Sequence, residues 1–128
     1  MRKRFNHILA LNQDSWIAWL NQHCSRFSLL HGDLWSGNVL FDAQNVWLID
    51  PAVYFGDSET DIAMTEMFGG FPEAFYAAYQ SVKPLSSAYP KKRILYNLYH
   101  YLNHYNLFGS AYLPACERGF QKLDQGLE

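Results

Sequence analysis

The feature that most constrains the fold of this 128-residue chain is residues 38–50, NVLFDAQNVWLID. Two short apolar runs are separated by the dipeptide AQ, which is flanked by Asp42 and Asn45. This arrangement predicts a tight hairpin of two short strands. A hairpin brings its two ends together, so Asn38, which enters the first strand, and Asp50, which leaves the second, are expected at the same end of the ribbon.

Helical patterns surround this hairpin. A helix is predicted from a cap at Asp14 or Ser15 to about Cys24, before the short apolar run FSLL. The segment YFGDSET, residues 54–60, is expected to be a loop in which Ser58 or Thr60 caps the next helix. Glycine and proline residues mark the ends of four later helices. These four predicted helices cover residues 60–68, 72–82, 91–107 and 114–123. The predicted fold class is therefore mainly α (α+β), a single domain of helices with a small β-hairpin.

Composition and charge limit the kinds of partner. The chain is 49% apolar and 17% aromatic but only 17% charged, and its net charge is −2. Because the only basic clusters are MRKR and KKR, we expect no nucleic-acid partner. No apolar run is long enough for a membrane span or a signal-peptide core, which favours a cytoplasmic protein without a membrane partner. Cys24 and Cys116 are expected to be buried, reduced thiols.

The candidate catalytic residues lie in and around LLHGDLWSGNVLFD. Asp33 lies in the loop that feeds the end of the hairpin where Asn38 and Asp50 are expected. Two carboxylates and a carboxamide are hard oxygen ligands of the kind Mg²⁺ prefers when it bridges substrate phosphates. A loop aspartate that accepts a hydroxyl proton would complete a phosphoryl-transfer site. The alternative left open by spacing alone is that both aspartates only close loops and cap turns.

Longer motifs add a family resemblance. HGDLWSGN, IDPA, YFGDSETDIAMTEMFGGFP and YLNHYNLFG together resemble the ketosamine (fructosamine) kinases, relatives of the aminoglycoside and choline phosphotransferases in the kinase-like superfamily. The resemblance extends from about Leu29 to Leu123. It implies the C-terminal lobe of a kinase-like fold, with Asp33 as catalytic base and with Asn38 and Asp50 as Mg²⁺ ligands. IDP stands where protein kinases carry D-F-G, and HGD where they carry H-R-D.

The resemblance also suggests substrate-binding and supporting residues. Trp35 offers a flat indole face to a sugar ring or an amine, although core packing is an equally open role. The last long helices would form the wall of the acceptor pocket, so Asn103 and His104 are candidates for contacts with sugar hydroxyls. His31 is expected to hold the loop as a structural residue. Asp61 is expected to cap a helix or to brace the catalytic loop.

Other patterns are weighed against this interpretation. His100 and His104 have the spacing of a zinc pair, but Tyr101 replaces the glutamate of a metalloprotease helix and no third ligand is evident. Glu59 and Glu66 are expected on the solvated surface. No acid lies between residues 91 and 115, which favours a singly aminated ketosamine over a polycationic aminoglycoside as substrate.

No G-x-G-x-x-G and no strand followed by a lysine precede Leu29, although these are the parts of an N-terminal kinase lobe that contact the phosphates. We therefore expect an N-terminal lobe to be absent. The predicted division is a lead-in helix at 1–28, the catalytic loop and hairpin at 29–52, and a helical substrate-binding subdomain at 53–128.

The first functional hypothesis is a ketosamine-type kinase that uses ATP and Mg²⁺ to phosphorylate a sugar hydroxyl. As this fragment alone, the chain is expected to be inactive or very weakly active, because binding of ATP and Mg²⁺ would be weak or absent. The alternatives are a non-catalytic remnant or binding module, and an aminoglycoside- or choline-type phosphotransferase. We also expect a homo-oligomer, in which the Asn12–Cys24 helix could be exchanged, or a lobe supplied in trans.

Overall fold

The computed structural model of the chain describes residues 2–24 and 26–127. Within these residues, five α-helices and four short strands follow one another, with 3₁₀ turns at Ser36–Asn38 and Ser110–Tyr112. The elements are α1 (Arg2–Gln22), β1 (Phe27–Leu30), β2 (Val39–Phe41), β3 (Val46–Leu48), β4 (Tyr54–Asp57), α2 (Ser58–Thr65), α3 (Glu73–Val82), α4 (Tyr89–Phe108) and α5 (Leu113–Asp124). The predicted class, mainly helical with a small hairpin, is confirmed.

The predicted hairpin is formed by β2 and β3, which pair in antiparallel register. Its turn is built on Asp42, whose Oδ1 accepts hydrogen bonds from the backbone nitrogens of Gln44 and Asn45, both at 2.8 Å. Such a local side-chain bond replaces a backbone turn at low cost. At the open end, the backbone N–H of Ile49 donates to the carbonyl of Asn38 at 3.0 Å. The two ends of the hairpin are therefore adjacent, as predicted.

The prediction of a loop over residues 54–60 is wrong for the first half of this segment. Residues 54–57 form β4, which pairs antiparallel with β1. The cap of α2 is Asp57, whose side chain accepts from the backbone N–H of Glu59, and neither Ser58 nor Thr60 has this role. Glycine and aspartate are poor strand formers, so the pairing with β1 rather than local preference makes this strand.

The predicted start of the first helix is also wrong. Asp14 and Ser15 lie inside α1, where the Ser15 hydroxyl donates to the carbonyl of Asn12 at 2.8 Å. The helix continues toward the N-terminus because that part buries Phe5, whose ring stacks on Phe120 of α5 with centroids 4.8 Å apart. Tertiary burial of one aromatic ring therefore outweighs a local capping signal.

Helix α2 ends at Thr65, before the predicted end at residue 68. Phe68, Gly69 and Gly70 have φ values of 53°, 96° and 73°. The chain therefore leaves the helix through a left-handed turn, in which glycine has no steric penalty. Helices α3, α4 and α5 lie within two residues of their predicted limits.

Helix α4 lies between two apolar cores. The first is formed by α1, α4 and α5, and the second by α2, α3 and α4. Cys116 is fully buried in the first core, whereas Cys24 is only half-buried, so the prediction of two buried thiols is wrong for Cys24. Both thiols are free. No helix among the described residues is both long enough and apolar enough to cross a membrane.

Candidate active site

The loop between β1 and β2 brings Asp33 and Asn38 into direct contact. The 3₁₀ turn at its end places the Asn38 side chain, which is 6% exposed, beneath the loop. Asn38 Nδ2 donates to the Asp33 backbone carbonyl at 2.8 Å and to the Asp33 carboxylate at 3.0 Å. The amide thereby fixes the direction of the carboxylate and leaves its own carbonyl oxygen for another ligand.

Asp50 follows β3 at the same end of the hairpin. Its neighbours are tied to the catalytic loop, because Ile49 N–H donates to the Asn38 carbonyl at 3.0 Å and Ala52 N–H donates to the His31 carbonyl at 2.8 Å. Asp50 is exposed and has a φ of 50°, a left-handed conformation that is uncommon for a residue with a side chain. Backbone conformations of this kind persist where the surroundings impose them, often at functional sites.

His31 connects the catalytic loop to the hairpin. Its Nε2–H donates to the Ile49 carbonyl at 2.9 Å, and its Nδ1 accepts from the Asp33 backbone N–H at 3.2 Å. The neutral imidazole with its proton on Nε2 satisfies both bonds. Both ring nitrogens of His31 are therefore hydrogen-bonded to the backbone. These bonds indicate that His31 positions the loop and does not transfer a proton.

Asp61 braces the same loop from the first turn of α2. Its two carboxylate oxygens accept from the backbone nitrogens of His31 at 2.7 Å and Gly32 at 3.0 Å. Of the two roles open from sequence, capping or bracing, these contacts are those of a brace. Gly32 is required here because its φ is +85° and a Cβ would lie 1.9 Å from the carbonyl oxygen of Ala52.

The donor set fits a magnesium ion better than zinc. Asp33, Asn38 and Asp50 supply hard oxygen atoms at one end of the hairpin, and Mg²⁺ usually completes its shell with water and substrate phosphates. Among the described residues, no group of three or more His, Cys, Asp or Glu side chains forms a metal cluster. His104 Nδ1–H donates to the His100 carbonyl at 2.8 Å, so one nitrogen of the candidate zinc pair is already used.

A cleft of about 980 Å³ opens beside the catalytic loop. Asp33 and the three predicted substrate-binding residues, Trp35, Asn103 and His104, all line it. The Trp35 ring also packs against Gly37, because a Cβ added at Gly37 would lie 2.3 Å from the indole. Other lining residues were not predicted from the sequence, and they come from β4, from the end of α2 and from the α4–α5 corner. They are Tyr54, Met64, Met67, Phe68, Tyr99, His100, Leu107, Phe108 and Tyr112.

The cleft carries little charge. Asp33 is the one carboxylate among the described residues that line it, and these include no lysine or arginine. Burial lowers the pKa of His100, and the neighbouring His104 lowers it further, against the opposing effect of Asp33. The lowered pKa favours the uncharged form of His100. A ligand in this cleft meets one negative charge surrounded by aromatic and neutral polar groups.

Behind the site, Lys92 is an unpredicted buried cation. Its side chain is 2% exposed, and Nζ lies 2.8 Å from both the Asp57 and the Glu59 carboxylates. Burial alone would lower the pKa of Lys92, but its hydrogen bonds to the two carboxylates hold that pKa above the usual value. Glu59 is buried and Glu66 bonds to the Tyr89 hydroxyl and to an arginine, so the prediction that both are solvated is wrong.

A loop aspartate, an asparagine that fixes it and an aspartate at the end of a hairpin are the arrangement expected of the C-terminal lobe of a kinase-like fold. The model of the fructosamine kinase family matches residues 2–125, and the chain belongs to that family. The predicted family is therefore confirmed.

Individual relatives agree with this assignment. A probable ketoamine kinase from Synechocystis sp. is 58% identical over 93 residues, which are 71% of this chain and 31% of that protein. The mouse ketosamine-3-kinase is 51% identical over 85 residues, 66% of this chain and 28% of that protein. The crystal structure of a putative fructosamine-3-kinase from Haemophilus somnus aligns with a TM-score of 0.73 and 32% identity, over 81% of this chain and 36% of that one. The kinase-like fold is thus confirmed, and the chain spans 27 to 36% of the length of the curated relatives it matches.

Proposed function

We propose that this chain provides the catalytic loop and acceptor cleft for ATP-dependent phosphorylation of a ketosamine hydroxyl. The observation that carries this proposal is the contact between Asn38 and Asp33 at the edge of the cleft. Asp33 would accept the hydroxyl proton of the substrate. Asn38 and Asp50 would hold Mg²⁺, which neutralises charge on the transferred phosphoryl group when it is bound with ATP. His31 and Asp61 fix the loop, so the reaction depends on positioning.

The substrate class follows from the cleft and from the names of the relatives. Relatives of this chain include the mouse ketosamine-3-kinase and a protein-ribulosamine 3-kinase from Arabidopsis thaliana. A ketosamine carries one amine and several hydroxyls, which suits a cleft with one carboxylate, Asp33, and polar side chains such as Asn103 and His104. A polycationic aminoglycoside would need more acidic groups than these residues offer. We further propose that the reaction takes place in the cytoplasm, where ATP and Mg²⁺ are available.

A chimera tests the proposed reaction. This chain would replace the segment that it matches in the mouse ketosamine-3-kinase, and transfer of labelled phosphate from ATP to a fructosamine would be measured. The chimera is expected to be active, and Asp33→Asn is expected to lower the rate by about 10² to 10⁴-fold, the usual contribution of a general base. Asp42→Asn, in the hairpin turn, makes the same chemical change away from the cleft and should leave the rate unchanged. Transfer at full rate in Asp33→Asn would refute the assignment.

Calorimetry on the 128-residue chain alone tests the alternative of a binding module. We expect Mg·ATP to bind with a dissociation constant above about 1 mM. This limit corresponds to a binding free energy of about −4 kcal/mol. A ketosamine should still bind in the cleft, because all the proposed acceptor residues belong to this chain. If a ketosamine binds and the chimera transfers no phosphate, the binding module is the better description.

A further inference from the structure

Five rings form a continuous aromatic strip along one side of the cleft: Trp35, Phe68, His104, Phe108 and Tyr112. The centroids of the first two rings are 5.6 Å apart, and the Phe68 ring lies 5.4 Å from the imidazole of His104. The imidazole in turn lies 5.6 Å from Phe108 and 5.2 Å from Tyr112. The strip begins on the catalytic loop and ends at the corner between α4 and α5.

Two members of this strip are unusually exposed for aromatic residues in a concave surface. Phe68 is 43% exposed and Phe108 is 67% exposed. Exposed apolar surface in a groove is typical of a binding site. The cleft, at about 980 Å³, lies at the upper end of the range of roughly 300–1,000 Å³ that holds drug-sized ligands. A sugar ring next to Asp33 would therefore leave Phe108 and Tyr112, at the far end of the strip, uncovered.

The charges around the strip define what can cover it. The ketosamine nitrogen is a protonated amine, and Asp33 is the one carboxylate among the described residues of the cleft. The faces of Trp35, Phe68, Phe108 and Tyr112 carry no positive charge that would repel the amine. Ring faces attract cations. A carboxylate on the substrate, in contrast, would find no lysine or arginine among the described lining residues.

We propose that the aromatic strip binds the amine half of the ketosamine. The ammonium lies against the ring faces near Trp35, and an apolar or aromatic substituent on that nitrogen extends toward Phe108 and Tyr112. This inference rests on the proposed function for the sugar half of the ligand. The proposed subsite predicts that N-benzyl ketosamines bind more tightly than ketosamines derived from amino acids.

Binding of three synthetic ligands to the 128-residue chain tests the proposal without any need for turnover. The ligands are the N-methyl, N-benzyl and N-carboxymethyl derivatives of fructosamine, and the measurement is calorimetry or ligand-observed nuclear magnetic resonance. Because each aromatic or cation–ring contact contributes modestly, N-benzyl fructosamine should bind about tenfold more tightly than the N-carboxymethyl derivative, with the N-methyl derivative between them.

Substitutions of Phe108 test the strip itself. Phe108→Ala should reduce the preference for N-benzyl over N-methyl fructosamine by about threefold, so that the two ligands bind almost equally. Leu11→Ala, at an equally exposed helical position on α1 (69% exposed), should leave this ratio unchanged. Phe108→Arg adds a group that can receive a carboxylate and should invert the ranking of the N-benzyl and N-carboxymethyl ligands. Circular dichroism of each variant checks that the helices are retained.

The outcomes separate this inference from the proposed function. Equal affinities for the three ligands, or a preference that Phe108→Ala and Phe108→Arg leave unchanged, would overturn the role of the strip while leaving ketosamine binding intact. Failure of all three ligands to bind would overturn both proposals. A preference for N-benzyl that falls in Phe108→Ala and inverts in Phe108→Arg would establish the amine subsite.

Discussion

Gly32 lets the catalytic loop approach the segment after β3, and this close approach can be tested with one methyl group. The φ of Gly32 is +85°, and an added Cβ would lie 1.9 Å from the backbone oxygen of Ala52. Gly32→Ala is therefore expected to lower the free energy of unfolding by about 2–4 kcal/mol, through backbone strain and through displacement of the loop. Urea denaturation measures the loss.

Gly69→Ala is the matched control for this substitution. Gly69 has a φ of +96°, but no atom of the described residues lies within 4 Å of the position that an added Cβ would occupy, so only the backbone strain applies. A loss of about 1 kcal/mol is expected there. If Gly32→Ala and Gly69→Ala destabilise the chain equally, the close approach to Ala52 contributes nothing to stability.

Lys92 is the second residue at which a single change should have a large effect. Its ammonium is buried between the carboxylates of Asp57 and Glu59. Lys92→Met would leave the two carboxylates, which are largely buried, without a cation, and breaking such a pair costs about 3–5 kcal/mol. Thermal or urea unfolding measures the change in stability.

The neighbouring residue provides a control for Lys92→Met. Arg93 pairs with Glu66 at 2.9 Å, but its side chain is 40% exposed. Arg93→Met should therefore cost less than about 1 kcal/mol, as exposed ion pairs do. If Lys92→Met and Arg93→Met lower the stability by similarly small amounts, burial of the Lys92 ion pairs is not important for stability.

At the scale of elements, the contact between α2 and the catalytic loop depends on Asp61. Both oxygens of this carboxylate accept backbone N–H groups of the loop. In Asp61→Asn one oxygen becomes an NH₂ group that cannot accept, so one loop N–H loses its partner. The expected loss is about 1–3 kcal/mol of stability, together with weaker ketosamine binding because the loop carries Asp33.

Glu73→Gln separates bracing from the general effect of a charge at a helix start. Glu73 lies in the first turn of α3 and is exposed. Its loss should cost no more than about 1 kcal/mol, which is the usual interaction with the helix dipole. Equal effects of Asp61→Asn and Glu73→Gln on stability and on ketosamine binding would show that Asp61 acts only on its own helix.

The elements also show which parts of the fold can be predicted from sequence. The hairpin was predictable because its turn is fixed locally, by the side chain of Asp42. Strand β4 was not, because a short strand containing Gly56 exists only through pairing with β1. The start of α1 was missed for a similar reason, since its N-terminal part is held by the contact of Phe5 with Phe120. Local signals predict an element well only where local interactions stabilise it.

At the scale of the whole molecule, the same distinction applies to the site. Asp33, Asn38 and Asp50 could be proposed from sequence because a motif and a hairpin place them together. The aromatic strip could not, because Phe68 lies just after α2 and its ring reaches His104 of α4 only when these two helices pack in the fold. Lys92 was missed because a lysine in a helical pattern is typical of the surface, and its two buried partners come from other elements.

The sheet of β1 and β4 exposes a band of large apolar side chains, and the hairpin exposes further ones. Phe27 and Leu29 of β1 and Phe55 of β4 are 69%, 64% and 75% exposed, and in the hairpin Phe41 and Val46 are 77% and 69% exposed. Apolar residues exposed along strand edges and faces favour association with another chain. We therefore expect the 128-residue chain to form homo-oligomers through this band.

Light scattering at micromolar concentration measures this self-association. Phe55→Lys places a charge in this band, directly across from Leu29, and should shift the chain toward the monomer, whereas Val82→Lys, at an 87% exposed position on α3, should not. An oligomer that persists in Phe55→Lys would instead favour exchange of the Asn12–Cys24 segment, whose helical part packs here on α5 of its own chain. A monodisperse monomer of the unmodified chain would refute both forms of self-association, since either one predicts a larger particle at this concentration.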